Sequence, residues 1–224
     1  MHRDLHSWDL TPKEAVRLQK QLRRRQRTDL TLRRPQRVAG VDVSYLKEIG
    51  ESIAVVVVLT FPALEVVEEQ VSRLPTPFPY VPGLLSFREI PAILPAFEKL
   101  QCRPDLVFVD GHGQAHPRRM GIASHLGIWL ELPTIGIGKS RLCGQYHPPS
   151  PQRGSISPLI DQDEEIALVL RSRSHVKPIF VSVGYGLPLP ECLRWTLQSL
   201  TRYRLPEPIR QADRRAARAK KPRG

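Results

Sequence analysis

Cysteine is scarce in this sequence and dispersed. Cys102, Cys143 and Cys192 form neither a disulfide framework nor a C-x-x-C metal clip, which suits a reducing compartment such as the cytoplasm. Long apolar runs are missing too. The longest, IAVVVVLTF at 53–61, falls short of a membrane span and, being β-branched, reads as a buried strand. The first residues, MHRDLHSWDL, lack a basic region followed by an apolar stretch, so no secretory signal is expected. Acidic residues are outnumbered, 22 against 34 Lys and Arg, giving a net charge of +12. Such a surface attracts polyanions, with nucleic acid the leading candidate. No repeat or linker divides the 224 residues. One domain is expected over 1–224, acting as a monomer and ending in a basic, flexible tail that frays after residue 218.

Local patterns suggest the elements. Thr11, Pro12 and Glu14 make a capping box and a first-turn proline, predicting a helix over about 12–26 with Ala15, Leu18 and Leu22 inward. RVAGVDVSY alternates, with Val41, Val43 and Tyr45 on one face and Gly40, Asp42 and Ser44 on the other. ESIAVVVVLTF and LEVVEEQVSRL follow through short links, predicting an antiparallel meander. Beyond a proline-rich crossing at 74–83, SFREIPAILPAFEKL has helical spacing, and Pro91 and Pro95 predict a kink. DLVFVD and PTIGIGKS read as strands flanking a helix, RRMGIASHLGIWLEL. A Pro/Ser-rich loop near 147–158, strands EIALVLRS and KPIFVSVGYG, and a helix ECLRWTLQSL complete a mixed sheet with helices against it.

Three carboxylates stand where a core-facing element ends or turns: Asp42, Glu89 and Asp110. Burying ionised carboxylates together demands a compensating cation, and oxygen ligands suit a hard divalent ion. Beside a basic surface, that combination is what metal-assisted phosphodiester cleavage requires. Plainer roles are available to each. Glu89 could close a capping box with Ser86, Asp110 could form an Asx turn with the glycines after it, and Asp42 could face solvent on an edge strand.

Five segments in order, VAGVDVSY, PYVPGLLSFRE, LVFVDGHGQAHPRRMGIASHLG, PTIGIGKSRLCG and YRLPEPIRQAD, closely resemble the endonuclease V family over about Val38 to Asp213. The resemblance implies an RNase H-like fold. It also implies Mg²⁺-dependent nicking, with Mn²⁺ as a substitute, of DNA at the second phosphodiester bond 3′ to a deaminated base such as deoxyinosine. Asp42 and Asp110 match the family's metal-binding aspartates, Glu89 its catalytic glutamate and Tyr80 its wedge, which Pro79 and Pro82 would hold out stiffly. Gly83, Leu85, Gly111, Gly113 and Ile122 match the base pocket. His116 and the Arg118–Arg119 pair would then lie beside the phosphates with Lys139, although a solvated basic face suits Arg119 and His125 better. Asp213 matches an acidic or histidine position and is a further ligand candidate. Tyr185 stands where relatives carry histidine, which puts any supporting role there in doubt.

Rival readings explain less. IGIGKS lacks the upstream glycine of a phosphate loop, that position being Pro133. His112, His116 and His125 do not form a helical zinc-binding pair. A non-catalytic nucleic-acid-binding protein leaves the three carboxylates without a role, and inosine-containing RNA is an alternative substrate to DNA.

Overall fold

A computed structural model describes residues 5–220. Eight strands form one sheet: β1 (Arg37–Leu46), β2 (Glu51–Thr60), β3 (Val66–Pro75), β4 (Leu106–Asp110), β5 (Thr134–Gly138), β6 (Ile156–Asp161), β7 (Glu164–Leu170) and β8 (Ile179–Tyr185), in the order β3-β2-β1-β4-β5-β8-β7-β6. β1, β2 and β3 are the antiparallel meander, and β1, β4 and β5 run parallel. This is the RNase H-like arrangement. Five helices flank it: α1 (Pro12–Leu22), α2 (Leu85–Glu98), α3 (Ile122–Leu130), α4 (Leu189–Gln198) and α5 (Glu207–Ala219).

Both faces of the sheet are covered, which explains the continuous apolar run in β2. Ile53, Val55, Val57 and Leu59 pack with α4 and α5, whereas Ala54, Val56 and Val58 pack with α2 and α3. The capping box is present: Thr11 Oγ1 accepts from the Glu14 N–H at 3.3 Å, and Glu14 Oε2 accepts from the Thr11 N–H at 2.8 Å. α1 ends at Leu22 and passes into a 3-10 turn, Arg23–Arg25. The three cysteines are free. No described helix is long and apolar enough to cross a membrane.

Several elements depart from the sequence expectation. α2 runs through both Pro91 and Pro95. α3 begins only at Ile122, because Arg119 takes a left-handed φ of 55°. The segment expected as loop to 158 already contains β6, an edge strand, where Pro158 is tolerated because an outward N–H needs no ladder partner. The basic C-terminal stretch is helix α5 to Ala219, with Ile209, Ala212 and Ala216 buried. Beyond Lys220 the expectation of a flexible tail lies outside the described residues.

Candidate active site

Strand parity gathers the acids. In β1 the residues Val38, Gly40 and Asp42 share the face covered by α5, and in β4 Leu106, Phe108 and Asp110 share that same face. The parallel register sets Val41 beside Val109 and Asp110 beside Ile137, so Asp110, the last residue of β4, stands at the level of Asp42 within β1. α5 brings a third. It lies so close over β1 that a Cβ on Gly40 would come within 1.9 Å of the Pro208 carbonyl oxygen, so only glycine permits the approach. One carboxylate oxygen from each of Asp42, Asp110 and Asp213 then lies within 4.8 Å of the others. Glu89 arrives from α2 and joins them electrostatically.

Burial pushes the Asp42 carboxyl up to about 7, with Asp110 adding to the effect and Lys139 opposing it. Burial also pushes Glu89 up to about 8, with Asp42 and Asp110 raising it further against Arg88. Lys139 Nζ lies 2.5 Å from Asp110 Oδ2 and 3.2 Å from Asp213 Oδ1. Burial works against the lysine's charge, but Asp110 and Asp213 outweigh it and its pKa is raised. Among the described residues Lys139 is the ammonium facing Asp42, Asp110 and Asp213, and Arg88 acts on Glu89. The oxygen-only donor set and this surplus of negative charge fit a hard divalent cation.

The plainer roles do not hold. β1 lies between β2 and β4, so Asp42 is not on an edge. Ser86 lies inside α2 and bonds His125 Nδ1 at 3.0 Å, so it makes no capping box with Glu89. Among the described residues no backbone N–H, that of His112 included, donates to the Asp110 carboxylate, so there is no Asx turn.

Asp110 leads directly into a cavity of about 190 Å³. Gly83, Leu85, Gly111 and Ile122 line it, together with Gln19, Met120, Ser140, Arg141 and Leu142, which nothing in the sequence placed there. The first turns of α2 and α3 both open onto it, and neither helix has a side-chain cap. The backbone N–H groups of Leu85, Ser86 and Ile122, all residues of the cavity lining, find no acceptor among the described residues. Gly113 lies behind the wall instead. Its N–H donates to Ser182 Oγ at 2.9 Å, and a Cβ there would strike the Val183 carbonyl at 1.9 Å. A larger surface groove of about 450 Å³ near Tyr146, His147 and Asp161 shares none of the carboxylates.

Tyr80 stands at the rim, 71% exposed, between exposed Pro79 and Pro82. Its loop is anchored by Phe78, which is buried against Phe87 and whose carbonyl accepts from Arg88 at 3.0 Å. The tyrosine is therefore not packed on its own loop.

The basic residues assigned to phosphate are mostly turned inward. His116 is buried; its Nε2 donates to the Gly83 carbonyl at 2.9 Å and its Nδ1 accepts from the Arg118 N–H at 3.0 Å. Burial lowers its pKa to about 4, so one neutral tautomer serves both bonds. Arg118 reaches the same carbonyl at 2.7 Å. Arg119 and His125 are not on a solvated face. Arg119 is buried and pairs with Asp161 at 2.7 Å and Glu164 at 2.8 Å, pinning the β6–β7 turn. His125 is fully buried and bonded to His6 Nε2 at 2.7 Å. Tyr185 pairs opposite Thr134, at the far end of β5 from Asp110 and Lys139, and packs with Leu22 and Met120. It supports that small core and not the carboxylates.

The raised carboxyls set a pH dependence. Asp42 and Glu89 hold protons in the folded state that the unfolded chain has released, so their stabilising effect is full below about pH 4 and is lost as pH rises through 7 to 8. His116 acts oppositely, losing stability as pH falls from 6.5 toward 4. A divalent cation bound by the ionised acids removes only the first penalty. Melting temperatures measured with and without Mg²⁺ should therefore diverge as pH rises from about 5 to about 9, by roughly 5 °C or more at the upper end. A gap independent of pH would separate these acids from cation binding.

Comparison with known proteins agrees with this geometry. The Endonuclease V family model matches residues 16–214. An Endonuclease V of Rippkaea orientalis is 53% identical over 180 residues, 80% of this chain and 79% of its own. The crystal structure of the Endonuclease V from Streptomyces avermitilis superposes with a TM-score of 0.90 at 45% identity, covering 95% of this chain and 94% of that one. Ciona intestinalis Endonuclease V, in complex with a 24mer DNA containing an inosine followed by a ribo-adenosine, gives a TM-score of 0.80 at 27% identity, over 92% and 96% of the two chains. Match and site together make this chain a member of the endonuclease V family.

Proposed function

We propose that the protein is a divalent-cation-dependent endonuclease that recognises hypoxanthine in DNA and cuts the second phosphodiester bond on its 3′ side. One observation carries the reading: Asp110, in the carboxylate cluster, and Gly111, in the cavity wall, are consecutive residues. Recognition and cleavage are therefore separated by a fixed, short span. The Ciona relative bound to inosine-containing DNA supports the choice of base.

Asp42, Asp110 and Asp213 would hold Mg²⁺, or Mn²⁺ in its place. Bound there, the cation supplies positive charge to the phosphate under attack and acidifies the attacking water. Glu89, with its carboxyl near 8, is placed to exchange a proton at the reacting phosphate. Lys139 contributes a cation beside the same atoms. Water adds to phosphorus, the 3′ oxygen leaves with a proton, and the products carry a 3′-hydroxyl and a 5′-phosphate. The exposed Tyr80, flanked by Pro79 and Pro82, fills the gap left by the displaced base. The base itself enters the cavity between Gly83, Leu85, Gly111 and Ile122, where backbone donors meet its O6 and N7 acceptors. Gly113, His116 and Arg118 support the walls. The chain acts as a single catalytic domain and a monomer in the cytoplasm.

The test uses matched DNA and RNA strands, each carrying one inosine, with Mg²⁺ and with chelator. DNA cleaved only with Mg²⁺, leaving a 5′-phosphate, is the expected result. Cleavage of RNA alone would make the protein an inosine-directed ribonuclease, and binding without cleavage of either strand would leave it a non-catalytic binder.

A further inference from the structure

The docked face of α1 buries Ala15, Leu22 and one polar residue, Gln19, which is 1% exposed. A buried amide is costly unless its hydrogen-bonding groups are used, and here they are. Its Nε2 donates to the Gly83 carbonyl and to the Met120 carbonyl, each at 3.0 Å, and its Oε1 accepts from Arg118 Nε at 2.5 Å. The two acceptors belong to different walls of the cavity. Gly83 closes the proline-stiffened loop that carries Tyr80, with φ +79°, and Met120 immediately precedes Gly121, the N-cap of α3. Both line the cavity, as does Gln19.

The two bonds are not equally redundant. The Gly83 carbonyl is also held by His116 and Arg118, whereas the Met120 carbonyl has no second donor among the described residues. A primary amide is suited to this place because its two hydrogens diverge and can reach two acceptors on separate segments. A carboxylate has no donor, and a thioether has neither donor nor comparable acceptor.

We propose that Gln19 is a positioning residue that fixes the gap between the two walls and so sets how closely the pocket fits the displaced base. The proposal rests on the cavity being the base pocket. α1 is then part of recognition, although none of its residues belongs to the five motif segments read from the sequence.

The experiment compares wild type with Gln19→Met and Gln19→Asn, measuring kcat, KM and the inosine-to-adenine rate ratio alongside the melting temperature. Gln19→Met keeps length and removes both donors. Gln19→Asn keeps the amide but is one methylene too short to span the walls. Both should raise KM for the inosine strand about tenfold, the worth of one to two net hydrogen bonds, lower the rate ratio similarly and change kcat less than KM. Binding of undamaged DNA should stay as in wild type. An unchanged rate ratio in either folded variant, whatever its melting temperature, would overturn the proposal. A wild-type protein with no preference for inosine would instead remove the base-pocket reading on which the proposal stands.

Discussion

Asp42→Asn and Asp110→Asn should each lower cleavage of an inosine-containing strand by about a thousandfold or more, because several kcal/mol of charge stabilisation at the phosphate go with one ligand. Binding of the same strand should survive, since affinity comes mainly from contacts to other phosphates and to the base. Titrating labelled substrate against each variant in Ca²⁺ separates the two effects. For Asp42 the structure adds a second signature. Its carboxyl is held near 7 by burial and by Asp110, so a neutral isostere relieves repulsion in the cation-free protein. The Asp42→Asn melting temperature near pH 8 without metal should therefore rise, and the stabilisation that Mg²⁺ gives wild type should disappear. Near-normal nicking by either variant would remove that residue from the mechanism.

Tyr80→Ala should lose about tenfold to a hundredfold in discrimination between inosine and undamaged strands, the worth of one aromatic stacked on a base at roughly 1–3 kcal/mol. Tyr80→Phe should be nearly silent, because the stacking face remains. With a side chain 71% exposed, truncation removes little packing, so the melting temperature should hardly move. Reading the rate ratio and the melting temperature on the same preparations decides the matter. A lowered melting temperature with intact discrimination would return Tyr80 to an ordinary loop role.

Much of the fold was legible in the sequence because local and long-range signals agreed. The Thr11–Glu14 box, the alternation through Asp42 and the twice-covered β2 run each had one structural solution. The failures occurred where one signal hid another. β6 carries Pro158 and reads as loop unless its edge position is known, and edge position is a property of the whole sheet. In α5 the helical spacing of Ile209, Ala212 and Ala216 was present but was masked by the surrounding arginines. The site divided similarly. Asp42 could be found as a carboxylate within an apolar strand and Asp110 as one at a strand end, and Asp213 only weakly, since a carboxylate on a basic helix looks solvated. Arg119, His125 and Gln19 could not be read at all. A buried arginine or glutamine is specified by partners such as Asp161, Glu164 and Met120, which lie 42, 45 and 101 positions away in the chain.

The close seating of α5 at Gly40 has a consequence for biosynthesis. All eight strands, and with them Asp42 and Asp110, precede α5 in the sequence, so a chain made in order reaches a stage at which every strand has been synthesised and α5 has not. At that stage the sheet lacks the helix that covers Val38 and Phe108, and Lys139 has Asp110 but not Asp213. The third carboxylate arrives only when Pro208 meets the bare backbone of Gly40. A nascent or prematurely terminated polypeptide that stops before α5 lacks one of the three clustered carboxylates, and the acid cluster is complete only once the last helix has docked.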